Sequence, residues 1–151
     1  MIQWLGLTYK PSSAVLKRIL GNSVVWNQLN RNANFEGTGY WGVVYCTFSI
    51  SNNVATVVAN STNCQFYQNH TGIQGHLYYQ SFDVRASQNG IVLNRIGPSS
   101  TQVVVNSSYY VHSSRIYTCT DTSVNNLEFN VQNYNLPSGS KYYVKNTRRI
   151  D

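Results

Sequence analysis

Acid–base, nucleophilic or metal chemistry in this chain of 151 residues would have to come from five carboxylates, three histidines and three cysteines. A glycosidase-type pair would have to be drawn from Glu36, Asp83, Asp121 and Glu128. Two such groups must flank one scissile bond. Asp83 and Glu128 could face each other, although each could equally pair with Arg85. His70, His76 and His112 stand near no nucleophile motif, and the chain contains neither G-x-S-x-G nor a P-loop. Cys46, Cys64 and Cys119 are odd in number, without a C-x-x-C motif or a histidine at zinc spacing. They are expected to be buried free thiols of a chain made in a reducing compartment. The expectation is a protein that is not an enzyme, with no metal and no cofactor.

The chain is rich in a different chemistry. It has 12 Tyr, 13% aromatic and only 11% charged residues, and Asn, Ser and Thr supply most of its polarity. Flat aromatic faces stack on the C–H surfaces of sugar rings, and amide or guanidinium groups bond hydroxyls bidentately. The candidates for such contacts are Tyr67, Tyr79, Tyr134, Arg85, Arg95, Asn94, Asn130 and Gln132. A β-protein kept soluble by uncharged side chains would have the same composition.

These residues need strands to position them. From residue 28 on, short β-type segments recur with turn signals about every ten residues. Strands are expected near 28–35, 41–50, 53–59, 63–68, 76–86, 90–96, 101–105, 108–119, 126–133 and 140–150, and no helical period is sustained. A glycine-rich loop around Gly37 and Gly39 sits between Phe35 and Trp41, two large core anchors. Alternation points Tyr78, Phe82 and Val84 inward and Tyr79, Asp83 and Arg85 outward. It likewise points Leu127, Phe129 and Val131 inward and Glu128, Asn130 and Gln132 outward. If those two strands were neighbours, Asp83, Arg85, Glu128 and Gln132 would share a face. The length suits one domain, and the pattern gives an all-β sandwich or barrel. Residues 12–28 fit either a short helix or a hairpin turning at Gly21-Asn22, with the hairpin favoured.

The net charge of +6 is uneven. Residues 1–35 carry Lys10, Lys17, Arg18 and Arg31 and no acid, and residues 136–151 carry Lys141, Lys145, Arg148 and Arg149 against Asp151. Between them Arg85, Arg95 and Arg115 meet Glu36, Asp83, Asp121 and Glu128, so the body is near neutral and the ends are basic. Basic ends suit docking on an acidic protein surface better than nucleic-acid binding, which calls for a basic face on the body. Solvated tails would look the same. No run approaches the length of a membrane span, and no secretory leader is expected.

Several segments together resemble a known family. Residues 32–36 with Trp41-Gly42 follow the pattern N-x-x-F-E, then G-W, and residues 47–58 follow as a hairpin. Residues 75–86, GHLYYQSFDVRA, match a G-H-x-Y-x-x-S-F-D-V-[RK]-A strand, and residues 127–131 and 142–146 come in the expected order. The chain over 16–150 resembles the jelly-roll carbohydrate-binding modules of the galactose-binding-like superfamily. It is similar in particular to versions carried by structural proteins of tailed bacteriophages, whose preceding segment residues 16–29 also resemble.

The resemblance implies a β-sandwich jelly roll over 29–151, behind an anchoring segment over 1–28 that uses Trp4, Tyr9, Lys17, Arg18 and Trp26. It implies a virion accessory protein, such as a head fibre, decoration protein or tail adhesin. Such a protein is made in the bacterial cytoplasm and displayed on the virion surface. Its partners would be capsid or tail proteins and cell-surface glycans, with no nucleic acid and no membrane insertion. A homo-oligomer, a trimer above all, suits fibre-like assembly. The alternatives are a decoration protein without a ligand and a secreted sugar-binding module. Two features depart from the secreted relatives. Where many carry paired aspartates for a structural calcium, this chain has Val144-Lys145-Asn146-Thr147, leaving only Glu36 and Asp151 as distant oxygen ligands. Its tryptophans at 4, 26 and 41 form no exposed row.

Overall fold

A computed structural model describes residues 17–20, 23–26, 35, 38–123 and 127–150. Every regular element among them is a strand. β1 (Lys17–Leu20) and β2 (Ser23–Trp26) form an antiparallel hairpin that pairs Lys17 with Trp26 and Arg18 with Val25. The hairpin reading of this segment therefore holds, and Lys17, Arg18 and Trp26 lie on it. Trp4, Tyr9, Glu36, Asp151 and most of the strand expected over 28–35 lie outside the described residues.

The other strands are β3 (Gly42–Val44), β4 (Cys46–Ser51), β5 (Val54–Ala59), β6 (Gln65–Gln68) and β7 (Leu77–Ala86). They continue with β8 (Gly90–Ile96), β9 (Ser99–Val105), β10 (Val111–Thr118), β11 (Phe129–Asn133) and β12 (Lys141–Ile150). They build two antiparallel five-stranded sheets. The front sheet has the order β3-β6-β11-β8-β9 and the back sheet the order β10-β7-β12-β5-β4. The result is the all-β sandwich expected from the sequence.

Local chemistry explains the joints. Asn52 and Asn53 both take positive φ, 50° and 60°, and Ser51 pairs with Val54. That is the two-residue hairpin turn for which asparagine is suited. The segment expected as one strand over 41–50 is two strands in different sheets. Tyr45 between them has φ 53°, which ends the front-sheet pairing at Val44 and sends Cys46 into the back sheet. At the loop before it, positive φ falls on Phe35 (56°) and Tyr40 (71°), not on Gly39.

The core lies between the sheets. Trp41 stacks on Phe66 at 4.5 Å and meets Phe129 edge-on at 5.6 Å, with Phe35 at 5.0 Å from Trp41. Cys46, Cys64 and Cys119 are buried and form no disulfide among the described residues, as expected. Burial pushes the Tyr142 phenol well above its usual range, and its hydroxyl donates to the Val131 carbonyl at 3.1 Å. Towards β10 the interior turns polar. Gln80 Nε2 donates to Asn94 Oδ1 at 2.7 Å, and Asn94 Nδ2 donates to Ser113 Oγ at 2.8 Å. Arg149 is fully buried there, donating to the Leu127 carbonyl at 2.7 Å and to Gln80 Oε1.

Residues 141–150 form the strand expected over 140–150, in the middle of the back sheet and hydrogen-bonded to β7 and β5, so their cations are not a solvated tail. The register shifts between Lys145 and Arg148, and Asn146 takes φ 54°. This bulge inserts a residue and changes the parity of the strand.

Candidate functional site

The outer face of the front sheet carries two unbroken rows that cross all its strands. One is Gly42–Tyr67–Asn130–Arg95–Ser100. The next is Val44–Gln65–Gln132–Leu93–Gln102. At about 4.8 Å per strand, each row is about 19 Å long. Beyond them the Tyr134 N–H donates to the Ile91 carbonyl at 3.1 Å, which places half-exposed Tyr134 at the margin next to the Ile91–Val104 pair.

The strands hold these side chains by period-2 alternation. The inward partners Phe66, Phe129, Val131 and Val92 are fully buried, which fixes the parity of β6, β11 and β8. Asn130 faces outward yet is covered by its neighbours. Its Nδ2 donates to Gln65 Oε1 and to Glu128 Oε1, both at 2.7 Å. Its Oδ1 is buried and has no hydrogen-bond partner. Arg95 donates from Nε to the Gly97 carbonyl at 3.1 Å and from NH1 to Gln132 Oε1 at 3.3 Å. A Cβ at Gly42 would lie 2.7 Å from Tyr67 Cζ, so the missing side chain is what lets the tyrosine ring lie across β3. Among the described residues, the charged groups on this face are Arg95 and Glu128, one of each sign.

The face is thus a flat strip of fixed amide, guanidinium and hydroxyl groups with a tyrosine at each side. It can exchange hydrogen bonds with a chain of hydroxyls and stack against apolar ring faces.

Tyr67, Arg95, Asn130, Gln132 and Tyr134 come together here. The other candidates do not join them. Tyr79 and Arg85 lie on the outer face of the back sheet, because β7 is a back-sheet strand. Asn94 points between the sheets and is fully buried in the bonds to Gln80 and Ser113. The shared face expected for Asp83, Arg85, Glu128 and Gln132 does not form, since β7 and β11 belong to different sheets. Asp83 and Glu128 look out from opposite sides and cannot flank one bond. Asp83 instead accepts from His112 Nδ1 at 2.7 Å and from Asn146 Nδ2 at 2.6 Å. Sequence reasoning missed Gln65, Gln102 and Gly42. The alternation of Gln65 and Tyr67 around buried Phe66 would have found the first.

This sandwich has counterparts among solved structures. The fold is that of carbohydrate-binding modules. One counterpart is a family 4 module, with TM-score 0.61 and 14% identity over 80% of this chain and 97% of that one. Another is the CBM22-1–GH10 portion of Clostridium thermocellum endo-1,4-β-D-xylanase 10B, solved with xylohexaose. It gives TM-score 0.58 and 14% identity over 78% of this chain but only 27% of that one, so the likeness spans about a quarter of the longer chain. A point mutant of a family 29 carbohydrate-binding module gives TM-score 0.53 and 14% identity over 80% of this chain and 88% of that one. No protein-family model and no curated protein sequence matches the chain.

Proposed function

We propose that the protein is a non-enzymatic glycan-binding module whose ligand lies along the outer face of the front sheet. One observation carries the reading. Half-exposed Gln65, Tyr67, Arg95 and Gln132 stand together on one face, with buried Asn130 beneath them bonded to Gln65 and with Arg95 bonded to Gln132. Polar groups and a tyrosine ring fixed on one face suit the hydroxyls and ring faces of a sugar chain. The near balance of charge on the strip favours neutral sugars. The length of the rows favours an extended chain of several rings over a single sugar. Affinity is expected to be weak, since few aromatic faces are offered.

Titration calorimetry with xylohexaose and other linear neutral oligosaccharides tests this. Binding to at least one of them is expected, with loss of about tenfold or more in Asn130→Ala. Silence across such a panel would overturn the reading and leave a purely structural role.

The setting we propose is the surface of a tailed phage particle, with residues 1–28 as the anchoring segment, 29–151 as the displayed module and a trimer as the assembly. Support comes from the resemblance of residues 16–29 and from the cations and tryptophans of that segment. Removal of residues 1–28 should abolish incorporation into particles while leaving the module folded. Normal incorporation of the shortened chain would contradict the anchoring role.

A further inference from the structure

The outer face of the back sheet differs in kind from the glycan strip. Lys145 pairs across the ladder with Asp83, and Arg148 with Ser81. Simple alternation would put Lys145 and Arg148 on opposite sides of β12. The bulge at Asn146 puts both outside, in line with Lys141 and beside Arg85. Arg85 lies over the Tyr143 ring at 4.6 Å, and Lys145 Nζ lies over Tyr110 at 4.0 Å. The sole acid of this face among the described residues, Asp83, is engaged by His112 and Asn146. The adjoining end of the same face is aliphatic. Ile116 pairs with Tyr79 and Tyr79 with Ile150, while Leu77 and Ile116 are 59% and 67% exposed.

We propose that this back face is a docking surface for an acidic polypeptide that also presents aliphatic side chains. Charge complementarity calls for an anionic occupant. Tyrosine and arginine are enriched at protein-binding surfaces, and the exposed leucine and isoleucine beside them add apolar area. An acidic polysaccharide would use the cations and leave Leu77 and Ile116 without a role. A second copy of the same face would oppose cation to cation, which disfavours self-association through it. The surface goes beyond the glycan site: it lies on the other side of the sandwich, and neither depends on the other.

The test measures binding of the intact protein to four immobilised probes. They are a peptide of Glu-Glu-Leu repeats, polygalacturonate, phosphatidylglycerol vesicles and duplex DNA. The peptide should bind most tightly at equal charge. Lys145→Glu with Arg148→Glu should weaken it about tenfold or more, and Leu77→Ser with Ile116→Ser should weaken it several-fold. Both double variants should keep the parent's unfolding midpoint and its affinity for xylohexaose. Equal or tighter binding of polygalacturonate, vesicles or DNA, with no effect of the Leu77 and Ile116 changes, would overturn the proposal in favour of that ligand. Failure to bind any probe would overturn it outright. Loss of xylohexaose binding alone would count against the front-face reading only.

Discussion

Asn130 has a structural role beneath the proposed glycan strip. Its Nδ2 ties Gln65 to Glu128, so Asn130→Ala should cost about 1–2 kcal/mol of stability as well as the glycan affinity. Urea unfolding beside calorimetry separates the two losses. Gly42 makes a different test. Gly42→Ala puts a methyl where the Tyr67 ring lies, so the ring must move off β3 and glycan affinity should fall several-fold with little change in fold. His70 offers a pH signature. Burial, then the nearby Arg149 charge, pushes its pKa down from 6.5 to about 4. The unfolded chain therefore takes up the proton first. Stability should be full above pH 6.5 and decline by about 1–3 kcal/mol as the pH falls to 4. Urea midpoints across that range, flattened in His70→Gln, check the sign.

At the scale of elements, the decisive features are two local breaks in regular strand geometry. Tyr45 sits at φ 53° where the chain leaves one sheet for the other. A β-branched side chain cannot take that conformation cheaply, so Tyr45→Ile should destabilise the fold by about 1–2 kcal/mol in urea unfolding. The bulge at Asn146 decides which cations face out from β12. Neither break was legible in the sequence. What was legible was parity in strands with one clearly apolar set, such as Phe66 against Gln65 and Tyr67, or Phe129 and Val131 against Asn130 and Gln132. Parity failed for Asn94 because both sets in β8 hold apolar residues. Ile91 and Leu93 alternate with Val92 and Ile96, so periodicity gives Asn94 no side. Sheet membership was hidden too. Period 2 says which way a residue points, but only long-range pairing says in which sheet, and that split Tyr79 and Arg85 from Tyr67 and Asn130.

The whole molecule is a sandwich with two unlike outer faces. Charge distribution along the sequence suggests a neutral body with basic ends. Folding puts residues 141–150 at the middle of the back sheet, so part of that basic charge becomes a face of the body and not a tail. The front face stays balanced, with Arg95 against Glu128. Such segregation suits the two proposed partners, a neutral chain of sugars on one side and an acidic polypeptide on the other. Whether sugars use the front face is read by an amide chemical-shift titration with the oligosaccharide of the calorimetry panel that binds most tightly. Shifts are expected along β6, β11 and β8, including the Asn130 side-chain amide, with β7 and β12 still. Shifts confined to β7 and β12, or spread over neither face, would contradict the front-face site.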